Sequence, residues 1–386
     1  MLVAQGETTD LDLGGIRGWF AIDFLIFGMC WGGIRIQPEV TEAETILLAR
    51  LMTLKSALAG IPIGGAKIGI QANPSTIDRP SLIKKLAENL DIKLVKRKYI
   101  PGSDMGFGED DLTKLYQRIG VYPSFTLHRQ SEIMSLTGLA VAQSLLSSIT
   151  ATIEMYEMDS CETIGLQGFG NMGTAAAYIL NKEGYKIMAI ANKYFTLFDR
   201  GGLDVGHLID LKSKHGENCL RQYAEKNFGS ILQPPNRIFQ IEADIHVPGA
   251  NVLSIREKPN CKIVAPIANY PVSLRMAGQL ESNGIRVIPD IISTAGGAIG
   301  SALSILERGF EADRKTISDI TRNNIIEIII HARRTGMTPM ELAYHRAMAK
   351  VDMLRRLGPL WLANYVRPIA SLGGEILNVF NRFRYF

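Results

Sequence analysis

Apolar and polar positions change rhythm about a third of the way along the chain. Before residue 136, Phe20 to Phe27 is an aromatic and β-branched run that predicts a strand ending at Gly28, with residues 1–18 as a loose arm or an edge strand. Thr41-Glu42-Ala43-Glu44 has the form of a capping box. Behind it Leu47, Leu51, Leu54 and Leu58 recur at helical spacing, predicting a helix that stops at Gly60. Pro62 to Ile70 is glycine-rich and reads as a turn. Further helices are expected over 80–92 and 109–118, with a short strand at Tyr99-Ile100.

From residue 136 onward helix and strand alternate. A helix over 136–155 leads to a strand at Thr163–Gln167, an alanine-rich helix from Thr174 to Leu180, and a strand at Lys186–Ala191. Short apolar strands are expected at 243–247, 262–265 and 286–288. Such alternation predicts an α/β chain with a parallel, doubly wound sheet. The last 50 residues read as helical, with Thr338-Pro339 at a helix start and Arg355-Arg356 near its end. No internal repeat is visible.

The length of 386 residues suits two domains, and 46% hydrophobic against 21% charged residues excludes a disordered chain. The excess of 42 basic over 38 acidic residues is small and spread out; its densest groups are Lys84-Lys85, Lys93 to Lys98 and Arg333-Arg334. No basic stripe forms, so no nucleic-acid partner is expected. Cys30, Cys161, Cys219 and Cys261 lie far apart without a CxxC pair, which points to a reducing compartment and to neither a disulfide frame nor a metal site. The most apolar stretch near the start, Trp19–Ile34, is interrupted by Asp23 and three glycines and is too short to span a bilayer. No basic segment precedes it. The expectation is a cytoplasmic protein with no membrane partner.

Candidate chemistry begins at Gly168-Phe169-Gly170-Asn171-Met172-Gly173, between an apolar strand and a small-residue helix. In a dinucleotide fingerprint the first glycine makes the tight turn, the second lets backbone approach the pyrophosphate, and the third lets helix pack on strand. The helix N-terminus then offers unpaired N–H groups to phosphate. The cofactor is therefore expected to be NAD or NADP. Where an acidic residue would take the ribose of NAD, the chain has Asn192 followed by Lys193, which removes a repulsion against a 2′-phosphate.

Three charged residues stand out before residue 136. Lys55 lies near a helix end, Lys67 is framed by Gly64-Gly65-Ala66 and Ile68-Gly69, and Asp104 sits in the loop Pro101-Gly102-Ser103-Asp104-Met105-Gly106-Phe107-Gly108. A lysine among glycines and apolar residues loses hydration, which lowers its pKa. A carboxylate on a glycine-bounded loop after a strand is placed for function. Taken singly, each also reads as a helix-end, surface or turn residue.

These residues fall within motifs in a characteristic order. Trp31-Gly32-Gly33-Ile34-Arg35, Met52-Thr53-Leu54-Lys55, Pro62 to Lys67, Pro101 to Asp104, Gly168 to Gly173, Ala268-Asn269-Tyr270-Pro271 and Ala295-Gly296-Gly297 resemble the glutamate/leucine/phenylalanine/valine dehydrogenases over roughly residues 20–355. The resemblance implies an enzyme of reversible oxidative deamination that turns an L-amino acid into its 2-oxo acid and ammonia. It implies that Lys67 and Asp104 are catalytic: Lys67 polarises the carbonyl or imine, and Asp104 shuttles protons. Lys55 would hold the substrate α-carboxylate, with Gly33, Trp31 and Ser301 lining the substrate site. The Gly168–Gly173 loop, Asn192, Thr137 and Asn269 would bind the cofactor. The expected division is a substrate domain over 1–135, a Rossmann-type dinucleotide domain over 136–336, and helices over 337–386 packing back on the first. A homo-oligomer is expected.

The chain departs from the family pattern in four places. Glutamate-specific members carry a lysine where Trp31 stands, and an indole offers apolar area and one N–H donor in place of a charge. Ser301 and the Asp104 loop match the glutamate branch, so glutamate and an apolar amino acid both stay open as substrate. Thr294 replaces an asparagine and Gly249 an alanine near the expected nicotinamide position. The N-terminus is also shorter than in glutamate dehydrogenases. The alternative functions are a catalytically silent nucleotide-binding homologue with a regulatory or assembly role, and another Rossmann oxidoreductase. The latter would carry a histidine–arginine pair, whereas the histidines at 128, 207, 215, 246, 331 and 345 fall in no glycine-bounded motif.

Overall fold

The computed structural model describes residues 6–26, 28–95, 99–120, 134–303 and 310–357. They divide into two compact units: 6–120 with 302–303 and 346–357, and 134–301 with 310–345. Residues 96–98 of the expected basic group Lys93 to Lys98, and the helical stretch beyond residue 357, lie outside what is described.

The first unit carries strands β1 (Glu7–Asp10), β2 (Gly18–Ile22) and β3 (Cys30–Gln37), helix α1 (Glu42–Leu58), strand β4 (Gly64–Gln71), helix α2 (Arg79–Val95), strand β5 (Tyr99–Gly102) and helix α3 (Glu109–Ile119). Its sheet runs in the order β1-β2-β4-β3-β5. The β3 strand is parallel to β4 and β5, while β2 is antiparallel to both β1 and β4. One face carries Ile34, Ile36, Ala66, Ile68 and Ile70, which form a core with Leu82, Leu86 and Leu90 of α2 and Leu112 and Leu115 of α3. Alternation along the strands turns Trp31, Gly33, Arg35, Gly65, Lys67 and Gly69 to the opposite face, where α1 packs.

Three expectations are corrected here. Pro62–Ile70 is a central strand from Gly64 onward, and its glycines make room for a helix, not a turn. A Cβ on Gly65 would stand 2.2 Å from the Ala49 carbonyl and 2.3 Å from the Thr53 nitrogen, and one on Gly69 would stand 2.1 Å from the Thr45 hydroxyl. The strand expected from Phe20 to Phe27 ends at Ile22. Beyond it the chain crosses the start of β4, where a Cβ on Gly64 would meet the Phe24 carbonyl at 1.7 Å, and Asp23 turns inward to pair with Arg50 at 3.2 Å. Residue 27 lies outside the described residues. The capping box is half formed: Thr41 Oγ1 accepts the Glu44 N–H, but the Glu44 carboxylate goes to Arg35, a charged partner stronger than a backbone N–H.

The second unit opens with α4 (Leu136–Met155), β6 (Thr163–Gln167), α5 (Asn171–Lys182), β7 (Lys186–Ala191) and β8 (Thr196–Phe198). There follow α6 (Val205–His215), α7 (Cys219–Lys226), β9 (Ile231–Gln233), β10 (Ile245–Pro248) and β11 (Ile263–Val264). It closes with α8 (Leu274–Ser282), β12 (Arg286–Val287), α9 (Asp290–Ser293), α10 (Gly296–Leu303), α11 (Phe310–Thr335) and α12 (Pro339–Leu357). Residues 302–303 of α10, and α12 from Arg346, belong with the first unit. The sheet order is β12-β11-β10-β6-β7-β8-β9. Its five strands from β12 to β7 are parallel and doubly wound, and β8 and β9 add an antiparallel margin that the sequence pattern does not announce. Helix α4 is long and apolar enough to cross a membrane, but most of it is buried within the structure.

The glycine packing yields a stability prediction. Gly65→Ala should lower stability by at least about 1–3 kcal/mol in denaturant unfolding, the usual range for overpacking. Gly108→Ala, where an added Cβ meets nothing within 4 Å, should change it far less. Equal effects would contradict the packing account.

Candidate active site

The first unit gathers four charged side chains around Gly33. Lys67, on the central strand β4, donates from Nζ to Asp104 Oδ2, while Arg35 on β3 donates to Asp104 Oδ1 at 3.4 Å and to Glu44 Oε1 at 2.7 Å. Two cations and two carboxylates thus form a connected group with no net charge. Lys67 and Arg35 are buried, and Asp104 is 15% exposed at its side chain. A Cβ on Gly33 would fall 2.9 Å from Asp104 Cβ and 3.2 Å from Lys67 Nζ, so this glycine keeps the space beside the pair clear.

The loop carrying Asp104 is held from several sides. Asp104 and Phe107 exchange backbone hydrogen bonds at 3.0 Å, and the Met105 carbonyl accepts from Ile36 N–H at 2.8 Å. Gly106 turns the loop at φ 76°, where a Cβ would also meet the Ile36 carbonyl at 2.2 Å. Arg79 donates to the Gly106 carbonyl at 2.6 Å and to Asp111 at 2.8 Å. Behind β5, Tyr99 and Tyr116 donate to the Gly32 and Pro101 carbonyls at 2.7 and 2.8 Å.

Burial works against the Asp104 carboxylate, yet Arg35, Lys67 and the Met105 N–H outweigh it and hold the carboxyl well below its usual range. Lys67 is pushed the other way. Burial lowers its pKa and Arg35 lowers it further, against the attraction of Asp104. A cation inclined to give up its proton thus stands in contact with a firmly ionised carboxylate, and of the two it is Lys67 whose shift runs toward the range useful for proton transfer.

Lys55 is buried on the last turn of α1. Next to it on the same helix, Ser56 accepts the indole N–H of Trp31 at 3.0 Å, in a fully buried bond. Trp31 is 7% exposed and has its only polar donor occupied. Ser301 lies in the second unit, exposed on α10, and so belongs to neither β3 nor β4.

In the second unit the glycine loop follows β6. Gly168 adopts φ 93°, and a Cβ on Gly173 would stand 1.8 Å from the Gly168 carbonyl, so both positions require glycine. A Cβ on Gly170 meets nothing within 4 Å, leaving its backbone facing open space. Gly170 caps α5 with no side-chain bond to the helix N–H groups, which suits a phosphate. Asn171 exchanges hydrogen bonds with Ser135 at 2.9 and 3.3 Å, and Ser135 caps α4, the helix that carries Thr137 in its first turn. Met172 lies in the first turn of α5. Asn192 closes the loop after β7: its side-chain Oδ1 accepts from the Tyr194 and Phe195 N–H groups, and its side-chain Nδ2 donates to the Glu217 carbonyl at 2.7 Å. Asn269 precedes Tyr270 in the loop after β11.

Two departures gain a local reason. A Cβ on Gly249 would stand 2.4 Å from the Gln167 carbonyl, so this chain has no room there for alanine. Thr294 is buried and donates its hydroxyl to the Asp290 carbonyl at 2.6 Å. One residue carried no sequence signal. Lys212 of α6 donates to the Phe169 carbonyl and to Thr174 Oγ1 and lies over the Phe169 ring at 4.8 Å. Burial lowers its pKa to about 8. No motif marks it, because only the packing of α6 on the glycine loop brings it there.

With this geometry in place, comparison with known proteins assigns the chain to a family. A glutamate/leucine/phenylalanine/valine dehydrogenase model matches residues 134–356, and the dimerisation-domain model of Glu/Leu/Phe/Val dehydrogenases matches residues 7–120. An NADP(+)-dependent glutamate dehydrogenase of Pyrobaculum calidifontis is 29% identical over 333 residues, covering 77% of this chain and 75% of the relative. Among solved structures, the hetero-hexameric glutamate dehydrogenase of Thermus thermophilus superposes with a TM-score of 0.76 at 21% identity, covering 92% of this chain and 89% of that one. The L-tryptophan dehydrogenase of Nostoc punctiforme gives 0.61 at 21% identity, covering 91% and 96%. These structures share the two-domain α/β fold. The chain belongs to the glutamate/leucine/phenylalanine/valine dehydrogenase family and is an NAD(P)-dependent amino-acid dehydrogenase.

Proposed function

We propose that the protein oxidatively deaminates an L-amino acid with an uncharged, apolar side chain, and that Lys67 and Asp104 carry the proton chemistry. The observation that carries this reading is the buried Lys67–Asp104 contact beside the space kept clear by Gly33. A fold retained only for binding nucleotide gains nothing from burying such a pair, since buried charges cost free energy unless they are matched. When bound, the nicotinamide supplies the redox step by accepting a hydride from the substrate Cα. The protein's part is to hold the α-carboxylate at Lys55, to polarise the imine and then the carbonyl with Lys67, and to take the proton of the attacking water on Asp104. The products are the 2-oxo acid, ammonia and the reduced cofactor.

The substrate assignment rests on charge. Among the described residues the buried cations of the first unit are Arg35, Arg50, Lys55 and Lys67. Arg35 pairs with Glu44 and Asp104, Arg50 with Asp23, and Lys67 with Asp104. Lys55 is the residue read as binding the α-carboxylate. Trp31, with its N–H committed to Ser56, offers a side chain only carbon surface. Among the described residues, the first unit has no further buried cation to match a glutamate γ-carboxylate, whose desolvation is costly when unmatched.

Residues 7–120, which match the dimerisation-domain model, support a homo-oligomer. Cys30, Cys161, Cys219 and Cys261 are free thiols, which supports a reducing, cytoplasmic setting.

Absorbance of the reduced cofactor tests the reaction. With NAD or NADP, leucine, phenylalanine or tryptophan should turn over at least about a hundredfold faster in kcat/KM than glutamate, and Lys67→Met should lose about 10²–10⁴ of that rate while still binding cofactor. Turnover of glutamate alone would contradict the substrate assignment, and an active Lys67→Met would contradict the proton chemistry.

Lys212 generates a second test. Its ammonium lies against the glycine loop, and no carboxylate is within ion-pair distance among the described residues, so a cofactor phosphate is its natural counter-ion. Phosphate binding favours the protonated lysine, so cofactor affinity should be constant below about pH 8 and fall as pH rises through that value. In Lys212→Met the fall should vanish, and affinity should be weaker than that of the wild type below about pH 8 and approach it above. The same pH dependence in both proteins would contradict the assignment.

A further inference from the structure

The loops after β10 and β11 hold two non-glycine residues in the left-handed region, Leu253 at φ 52° and Tyr270 at φ 49°. They are tied together: the Leu253 N–H donates to the Tyr270 carbonyl at 2.9 Å, and the Ile255 N–H donates to the Pro271 carbonyl at 3.1 Å. Such backbone persists only where its surroundings over-determine it, and it gathers at ligand sites. For Tyr270 the determinant is Asp290. One carboxylate oxygen of Asp290 accepts the Tyr270 N–H at 2.7 Å, and the other accepts the Tyr344 hydroxyl at 2.8 Å. Asp290 and Tyr344 are 0% and 1% exposed, and the Tyr344 ring meets the Tyr270 ring edge-on at 6.0 Å.

The location gives this latch its meaning. In open α/β sheets a ligand lies beyond the carboxyl ends of the strands, where the strand order reverses. Here that point is β6, with β7 on one side and β10 and β11 on the other. Asn192 follows β7, so the adenosine half belongs on that side and the nicotinamide half beside the loops of β10 and β11. The two sides meet where a Cβ on Gly168 would stand 2.5 Å from the Gly249 carbonyl.

We propose that Tyr344 and Asp290 are positioning residues for the nicotinamide half of the cofactor, holding Tyr270 left-handed and so fixing the direction in which the preceding residue, Asn269, faces the ligand. The inference rests on the reading of Asn269 as a cofactor residue. It concerns neither the amino-acid substrate nor Lys67.

Tyr344→Phe keeps the ring and removes only the hydroxyl donor. Binding of NADH and NADPH, followed by reduced-nicotinamide fluorescence, should weaken at least about tenfold, the usual consequence of losing a hydrogen bond to a charged group. Binding of ADP-ribose, which lacks nicotinamide, should be unchanged. Adding Tyr270→Gly should recover most of the loss, because glycine takes this conformation without strain. Asp290→Asn, which can no longer satisfy both donors as a carboxylate does, should show the same split and serves if Tyr344→Phe does not fold. Equal weakening of ADP-ribose, no weakening at all, or a loss that Tyr270→Gly leaves intact would overturn the proposal. A wild-type protein that binds neither reduced cofactor would instead overturn the nucleotide-site reading beneath it.

Discussion

The buried contact between Lys67 and Asp104 is the constraint around which the first unit is arranged. Neither charge could be taken from water alone at tolerable cost, and the pair is matched by a second one, Arg35 with Glu44, that shares the Asp104 carboxylate. Placing four charges in so small a space requires a floor without side chains. Gly33 supplies it on β3, and Gly65 and Gly69 on β4 let α1 close over the same face. The opposite face of the sheet packs a hydrophobic core on α2 and α3. One sheet therefore separates a hydrophobic core from a polar site one residue away along the same strand.

The second unit meets a different demand with the same means. Gly168 and Gly173 bring α5 close to β6, and Gly249 allows the end of β10 to approach Gln167. The result is a row of strand ends where backbone, not side chain, lines the space. Where side chains do take part they are anchored: Asn171 to Ser135, Asn192 to the Glu217 carbonyl, and Asp290 to Tyr270 and Tyr344. Such anchoring restricts motion on the protein side before any ligand arrives, which limits the ordering cost of binding.

Much of this was legible in the sequence, and the exceptions share a cause. Helix α4, strands β6 and β7 and the glycine fingerprint follow from local periodicity and position, so the pattern located them. Strand β4 did not. Gly64, Gly65 and Gly69 look like turn residues because a helix and a crossing segment occupy the places their side chains would take, and that reason lies in α1 and Phe24, not in β4. Arg35 appeared only as the last residue of a motif, since its partners Glu44 and Asp104 stand 9 and 69 positions away. Lys212 and Tyr344 carried no signal at all, being ordinary helix residues until packing delivers them to the loop carbonyls and to Asp290. Trp31 was legible as a departure, but its bond to Ser56, which decides what it can offer a ligand, was not.

The central claim is that burial and Arg35 leave Lys67 ready to release its proton, with Asp104 as the opposing influence. A ¹⁵N NMR titration of the Lys67 Nζ, assigned by its loss in Lys67→Met, measures this directly. The signal should titrate below 10.5, the ordinary lysine value, and Asp104→Asn should move it lower still, because the carboxylate is what raises it. A midpoint at or above 10.5, or an upward move in Asp104→Asn, would contradict the account.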